Sequence, residues 1–171
     1  MNSKAQVLIG IGSNLPWAGK TSVDIVRDAL QALRVHARSG FRASSLYRTT
    51  PVDCPPGSEH FINAAAAFEA HQDLTPEKLL TEVKALERTF GRGGSWQRNA
   101  PRPLDVDVLT FGSETRASNE FILPHPRATQ RAFVLVPLNQ IVPDLVWPGK
   151  TTTIRELLAM LDTDEVIEKL E

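Results

Sequence analysis

The chain has 171 residues, 42% hydrophobic and 23% charged, and its 19 basic and 20 acidic residues leave a formal net charge of −1. This length predicts one domain, residues 1–171, which can bury a hydrophobic core without disulfide or metal cross-links. The charge balance argues against a general nucleic-acid binder, and the single cysteine, Cys54, excludes an internal disulfide framework. With no long apolar window and no signal peptide, a cytoplasmic protein without a membrane partner is expected.

The first half of the chain predicts a strand, a helix and two further strands. Residues 6–11 form an apolar run typical of a buried strand. Ser22 is a candidate N-cap for a helix whose apolar stripe carries Val23, Val26, Ala29, Leu30 and Leu33. Strands are predicted over 41–49 and 61–68, with a Pro/Gly loop over 52–58 between them.

The second half predicts a long helix, one strand and short C-terminal elements. Thr75 and Pro76 indicate a helix start, and Gly91 a stop after Phe90. A loop rich in glycine and arginine leads to a strand over 104–111, followed by the short segments 121–124 and 127–131 and an amphipathic helix on Ile154, Leu157, Leu158 and Leu161. The order βαββαβ predicts an α+β, ferredoxin-like sandwich, with helices on one face of an antiparallel sheet and C-terminal additions.

Two aspartates alternate with apolar residues on the 104–111 strand. Asp105 and Asp107 share one side of the strand, about 7 Å apart along it, and Leu104, Val106 and Val108 take the other. Paired carboxylates suit a magnesium ion that also binds substrate phosphates. Arg92, Arg98 and Arg102 in the preceding loop are suited to phosphate oxygens. The alternative is a solvated strand face that carries two acids.

An acidic residue also lies within the apolar stripe of the 76–90 helix. Glu87 has the spacing of Val83 and Phe90 rather than that of the solvent-facing residues. Either Glu87 pairs with Lys84 one turn earlier, or it lies at a cleft and accepts a hydrogen bond from a ligand hydroxyl.

Three further residues permit both a binding and a structural interpretation. Phe61 and Asn63 share a strand face, where they form either a seat for a flat heterocycle or an ordinary half-buried surface. His125, flanked by two prolines and close to Arg127 and Arg131, either contacts a nucleotide phosphate or caps a turn.

The segment 14–21 nearly matches the phosphate-binding loop G-x-x-x-x-G-K-[ST]. Asn14 replaces its first glycine, and Pro16 and Trp17 remove a donor and add bulk where phosphates would bind. An antiparallel sheet is also the wrong context for such a loop. We therefore expect Gly19 and Lys20 to have no role in nucleotide binding.

Six segments together resemble a known family. They are 11–15 (IGSNL), 45–49 (SLYRT), 61–64 (FINA), 87–92 (ERTFGR), 100–107 (APRPLDVD) and 123–127 (LPHPR). In this order they resemble the 6-hydroxymethyl-7,8-dihydropterin pyrophosphokinases of folate biosynthesis, over about residues 7–148. The segment P-R-x-L-D-x-D followed by P-H-P-R is specific only in combination.

The resemblance implies that the chain transfers pyrophosphate from ATP to the hydroxymethyl group of the pterin and releases AMP. Asp105 and Asp107 would hold two Mg²⁺ ions, Arg92 would belong to a mobile loop over the phosphates, and Arg102 would neutralise charge on the attacked phosphate. The implied ATP site comprises Lys84, Glu87, Arg98, His125 and Arg131. The implied pterin site comprises Thr49, Thr50, Val52, Phe61, Asn63 and Phe133. A monomer acting on these two small molecules is expected.

The sequence departs from the family pattern outside the aspartate pair. Gly94 stands where the family commonly has a second loop arginine, Asn99 where it often has tryptophan, and Thr50 where it often has proline. A non-catalytic module that binds a nucleotide or a pterin on the same scaffold is the alternative. The aspartates and loop arginines argue against that alternative, because a binding module does not need a charged transfer site.

Overall fold

A computed structural model describes residues 5–91 and 101–170. In chain order its elements are β1 (Gln6–Ser13), α1 (Ser22–Leu33), β2 (Ala37–Ala43), β3 (Leu46–Thr49), β4 (Phe61–Ala70), α2 (Pro76–Thr89), β5 (Asp105–Phe111), β6 (Arg116–Ala117), β7 (Ile122–Leu123), α3 (Ala132–Ile141), α4 (Ile154–Met160) and β8 (Ile167–Leu170). Short 3-10 turns cover Arg34–His36 and Ala128–Gln130. None of the helices in these ranges has the length and apolarity needed to cross a bilayer.

Six strands form one antiparallel sheet, which confirms the predicted sheet type. The strand order is β5-β1-β4-β3-β8, and β2 also pairs with β4. β1 lies between β4 and β5, so the strand that carries the two aspartates is a direct neighbour of the first strand of the chain. β6 and β7 form a separate two-stranded ribbon.

One face of the sheet packs against α1 and α2. Val7, Ile9 and Ile11 of β1 contribute to this core. Thr75 caps α2 as predicted. The cap of α1 is Thr21 rather than the predicted Ser22, because the Thr21 hydroxyl accepts a hydrogen bond from the Asp24 N–H while the Asp24 carboxylate accepts one from the Thr21 N–H.

The opposite face is also covered by helices, so the prediction that helices lie on one face was wrong. α3 and α4 pack on alternate residues of the central strands, with Trp147 beside them. α3 was not predicted, since its sequence AFVLVPLNQI is apolar nearly all round and contains Pro137. Such a helix shows no amphipathic period because it is buried between the sheet and α4.

The predicted strand 41–49 is two strands. Ser44 lies between β2 and β3, where its backbone N–H donates to the Ala65 carbonyl and its hydroxyl accepts from the Ala65 N–H, at 2.9 Å each. This exchange interrupts regular pairing along β4. β8 was also missed, because its short, half-exposed sequence acquires strand form only by pairing with β3.

Candidate active site

A pocket opens on the part of the α3-side sheet face that the C-terminal helices leave uncovered. On β1 this part carries Gly10 and Gly12. Gly10 is paired with Asp107 and Gly12 with Asp105 on β5, and Gly12 is paired with Asn63 on β4. Small residues in the middle strand leave space between the acidic strand and the amide-bearing strand. The pocket is lined by Gly12, Thr49, Thr50, Val52, Cys54, Phe61, Asn63, Arg102, Asp105, Asp107, Arg131 and Phe133.

Most residues predicted for the pterin and for catalysis therefore share one pocket. All six residues predicted for the pterin line it, together with Arg102 and both aspartates. Arg131, predicted to lie on the ATP side, lines it as well. Arg92 and Arg98 lie outside the described residues, as do Gly94 and Asn99.

The two aspartates are half-buried side by side, as the strand alternation predicts. Leu104, Val106 and Val108 are buried on the other side of the strand. The Arg102 guanidinium lies 3.6 Å from the Asp105 carboxylate. Burial, with the neighbouring Asp105 and Glu87 carboxylates, raises the pKa of Asp107 to about 7, against the opposing effect of Lys84 and Arg102. The site thus concentrates negative charge that a bound cation would offset.

Glu87 lies behind the aspartate pair and contacts the backbone between its members. The side chain is only 3% exposed, and its Oε1 atom accepts a hydrogen bond from the Val106 N–H at 2.9 Å. The other oxygen lies 3.5 Å from the Lys84 ammonium, so the pairing considered from the sequence is present. Because β5 is an edge strand, this carboxylate gives an outward-facing amide a partner that no neighbouring strand supplies.

A second, open groove runs along the outer edge of β5. Its walls come from α2 and from the segment 119–127, and they include Lys84 and His125, both predicted to contact ATP. Asp107 lines this groove as well as the pocket. One carboxylate therefore lies at the junction of the two recesses.

His125 is neutral at physiological pH. Burial, reinforced by the Arg131 and Arg127 guanidinium groups, lowers the pKa of His125 to about 4. Its Nδ1 atom accepts a hydrogen bond from the Arg127 N–H at 3.2 Å, which leaves the proton on Nε2. The ring can thus donate a hydrogen bond in the groove without carrying charge.

Two aromatic rings in the pocket each have a guanidinium nearby. The Arg102 Cζ atom lies 5.5 Å from the centroid of the Phe61 ring, and the Arg131 Cζ atom 5.3 Å from that of Phe133. These are cation–π distances. The arrangement places positive charge at both aromatic walls of the pocket.

The amide of Asn63 is fixed by its neighbours. Its Nδ2 atom donates to the Thr49 hydroxyl at 2.6 Å, and the side chain is 6% exposed. A Cβ atom on Gly12 would lie 2.6 Å from Asn63 Oδ1, so any larger residue there would displace the amide. Gly12 was not among the site residues predicted from the sequence, although it lies in the segment 11–15.

Asn14 anchors the chain next to Arg102. The Asn14 N–H donates to the Arg102 carbonyl at 3.1 Å, and the Arg102 N–H donates to Asn14 Oδ1 at 2.9 Å. The following loop is not a phosphate loop. Trp17 and Lys20 form a small antiparallel bridge, and Lys20 pairs with Asp28 on the surface of α1. The rejection of that motif agrees with this geometry.

The described residues offer two carboxylates to a cation rather than a complete metal cage. Within residues 5–91 and 101–170, no group of three or more His, Cys, Asp or Glu side chains is arranged to hold a metal ion. Asp105 and Asp107 supply hard oxygen donors on one side only. This donor set fits Mg²⁺, which usually keeps waters and takes substrate phosphates as further ligands.

Sequence comparison identifies one matching family and bacterial relatives that share one enzyme name. The family model described as "7,8-dihydro-6-hydroxymethylpterin-pyrophosphokinase (HPPK)" matches residues 8–143. The 2-amino-4-hydroxy-6-hydroxymethyldihydropteridine pyrophosphokinase of Methylorubrum extorquens is 38% identical over 95% of this chain and 97% of its own length. The protein of the same name from Haemophilus influenzae is 33% identical over 94% and 95%, respectively.

Solved structures share the fold at low sequence identity. The wild-type HPPK-DHPS of Plasmodium falciparum, solved with pteroate, has a TM-score of 0.70 and 14% identity, and the match covers 93% of this chain and 44% of that one. This similarity bears on the fold alone, whereas the family match spans residues 8–143 and the two bacterial relatives cover 95% and 94% of the chain. The chain therefore belongs to the 7,8-dihydro-6-hydroxymethylpterin-pyrophosphokinase family, a family of diphosphotransferases.

Proposed function

We propose that this chain transfers the β,γ-pyrophosphoryl group of ATP to the hydroxymethyl oxygen of 6-hydroxymethyl-7,8-dihydropterin. The pterin oxygen forms a bond to the β-phosphorus, the bond from that phosphorus to the α-phosphate oxygen breaks, and the hydroxyl proton is released. The products are AMP and the pterin diphosphate. The names of the bacterial relatives support the pterin as substrate.

The junction of pocket and groove at Asp107 is the observation that carries this proposal. A pterin in the pocket and a nucleotide in the groove would meet at this carboxylate and the adjacent Asp105. Arg102 lies beside Asp105, where it can offset charge on a transferring phosphate. Phosphoryl transfer needs positioning and charge neutralisation more than covalent assistance, and both are available here.

The pocket suits a flat, polar heterocycle. Phe61 and Phe133 are the aromatic walls between which a pterin ring would stack. The carbonyl of the Asn63 amide remains an acceptor while its Nδ2 atom is bound to Thr49, so it can read N–H groups on a ring edge. Thr50 and Val52 also line the pocket, where their backbone would supply further contacts to the ring.

Asp105 and Asp107 would hold Mg²⁺ in this proposal. When bound, the ions would neutralise phosphate charge and help to align the hydroxyl with the β-phosphorus. Glu87 binds the backbone N–H of Val106 and so holds the strand between the two ligands. Lys84 and the neutral His125 would donate hydrogen bonds to the nucleotide in the groove, and Arg131 would contact both substrates from the pocket side.

Identification of the nucleotide product tests the reaction. Incubation of the protein with ATP, Mg²⁺ and the reduced pterin should produce AMP and a pterin diphosphate in equal amounts, and omission of the pterin should abolish AMP formation. ADP as the product would indicate a simple kinase. Binding of both ligands with no product would identify a non-catalytic module and would overturn the proposal.

We also propose that the chain acts as a cytoplasmic monomer on a ferredoxin-like sandwich extended by α3, α4 and β8. Pocket and groove are both formed within one chain, which supports a monomer. Light scattering should then give the 18.9 kDa mass of one chain, with and without substrates. A stable dimer would contradict this part of the proposal.

A further inference from the structure

A short C-terminal segment, Thr163–Val166, connects two walls of the pocket without lining it. This segment, called here the strap, comes directly before β8. Its central residue, Glu165, is half-buried and is absent from the pocket lining. Any influence of Glu165 on a ligand must therefore act through the residues that it binds.

The first wall bound by the strap is the start of α3. The N-cap residue of this helix, Arg131, provides no side-chain hydrogen bond. Both carboxylate oxygens of Glu165 serve instead, as Oε2 accepts from the Ala132 N–H at 2.8 Å and Oε1 accepts from the Phe133 N–H at 3.1 Å. A carboxylate at a helix N-terminus satisfies amides that the helix leaves unpaired and interacts favourably with the helix dipole. One of these amides belongs to Phe133 itself.

The second wall bound by the strap is the loop after β3. The Thr50 N–H donates to the Val166 carbonyl, and the Val166 N–H donates to the Thr50 hydroxyl, at 3.2 Å in each case. Thr163 holds the Glu165 side chain in place, since its hydroxyl donates to Glu165 Oε2 at 2.9 Å and accepts from the Glu165 N–H at 3.2 Å. The carboxylate is thus fixed relative to the loop as well as to the helix.

We propose that Glu165 is a positioning residue for the pterin: it holds the Phe133 wall at a fixed separation from the Thr49–Val52 wall. This inference rests on the proposed function and extends it to a residue that touches neither substrate. The groove and the acidic strand have no contact with the strap among the described hydrogen bonds. Loss of Glu165 should therefore weaken pterin binding more than nucleotide binding, because the Phe133 wall loses its orientation while the groove residues Lys84 and His125 keep theirs.

Three variants separate this role from a general loss of stability. Glu165→Ala removes both acceptors, and Glu165→Gln keeps the shape but replaces one acceptor oxygen with a donor. Glu168→Ala, three residues later on β8, removes an exposed carboxylate that pairs with Arg48 across the strands. Dissociation constants for the reduced pterin and for a non-hydrolysable ATP analogue with Mg²⁺ are measured by calorimetry, together with KM and kcat for each substrate.

For Glu165→Ala we expect the pterin dissociation constant and KM to rise about tenfold, the scale of a lost helix cap. The ATP-analogue constant should change by less than about twofold, within the range of surface substitutions. Glu165→Gln should be intermediate, and Glu168→Ala should behave as wild type. Equal losses for both ligands in Glu165→Ala, or a pterin constant like that of Glu168→Ala, would overturn the inference.

Amide hydrogen exchange keeps this test independent of the proposed reaction. The Ala132 and Phe133 amides should be protected in wild type and in Glu168→Ala, and should exchange faster in Glu165→Ala. Unchanged protection would overturn the inference even if the protein were active. If the wild type bound no pterin, the proposed function would fail, whatever the exchange data showed for the strap.

Discussion

One face of the sheet has two halves built from the same strands. One half is covered by α3 and α4, and the other is open and forms the pocket. In the covered half, the inward positions carry apolar side chains packed under α3 and α4: Leu8, Ala65, Ala67 and Leu109. In the open half, the same alternation continues into glycines, an aromatic ring, an amide and two acids: Gly12, Phe61, Asn63, Asp105 and Asp107. On β4 and β5 the change occurs between positions two residues apart, from Ala65 to Asn63 and from Leu109 to Asp107.

This difference shows how the site is kept rigid. The open half is a direct continuation of a close-packed core, so its polar side chains extend from strands whose neighbouring residues are fixed by packing. Carboxylates are crowded together in this half as a result, and burial with the adjacent carboxylates raises the pKa of Asp107 to about 7. Substitutions in the two halves should therefore separate function from stability.

The largest expected effect is on turnover in the open half. Asp107→Asn keeps the shape of the side chain but removes the charge at the junction of pocket and groove, so we expect kcat to fall about a hundredfold or more. Pterin binding in the absence of nucleotide should change little. Asp162→Asn, which alters an exposed aspartate, is the matched control. Turnover like that of the wild type in Asp107→Asn would show that the acidic pair is not part of the reaction site.

The covered half should respond in stability instead. Leu8 is fully buried on β1, two residues from Gly10, and Leu8→Ala leaves a cavity that should lower the free energy of unfolding by about 2–5 kcal/mol. Urea denaturation measures this loss. At a temperature where the variant is folded, its pterin and nucleotide affinities should match those of the wild type. A selective loss of ligand affinity would mean that the two halves are not separable.

A smaller effect is expected at the aromatic wall of the open half. Phe133→Ala removes one of the two rings and should weaken pterin binding by about 1–3 kcal/mol, the range of a lost aromatic stack. Binding of an ATP analogue in the groove should be nearly unaffected. Titration of each ligand separately measures the two losses. Equal losses would show that the pocket and the groove are not assigned to the correct substrates.

The most specific effect is on how stability depends on pH. Asp107 has an ordinary pKa of 3.8 when exposed and about 7 in the folded protein. Between these values the folded protein keeps a proton that the unfolded chain has lost, so this group's contribution to stability declines as pH rises through the window and levels off above it. Asp107→Asn lacks this contribution.

Thermal unfolding in EDTA measures the effect at Asp107. The melting temperature of Asp107→Asn relative to wild type should rise from about pH 4 to about pH 7 and then stay constant. Groups that do not face Asp107 titrate alike in both proteins and cancel in the difference, whereas the neighbouring Asp105 and Glu87 carboxylates contribute to it together with Asp107. Asp162→Asn should give a difference that is flat across the same range. A flat difference for Asp107→Asn would contradict the raised pKa.

The parts predictable from sequence are those with a local period or a local contact. The alternation on β5 predicted the common direction of Asp105 and Asp107, and Thr75 with Pro76 predicted the start of α2. The shared face of Phe61 and Asn63 followed from the same alternation on β4.

The missed parts depend on contacts distant in sequence. α3 is buried on most sides and shows no period, and β8 is a strand only because β3 is beside it. Glu165 binds amides 32 and 33 residues earlier in the chain, which no local pattern could indicate. Arg92 and Arg98 lie outside the described residues, so their assignment stays a prediction.

β8 has a consequence for the behaviour of the protein in concentrated solution. Without it, β3 would present unpaired backbone N–H and C=O groups along Leu46–Thr49, a template onto which a strand of another molecule could add. β8 occupies these groups and presents the charged, exposed side chains of Glu168 and Lys169. Charged residues at an outer strand discourage further addition. A few residues beside the pocket thereby also protect the sheet from self-association and aggregation.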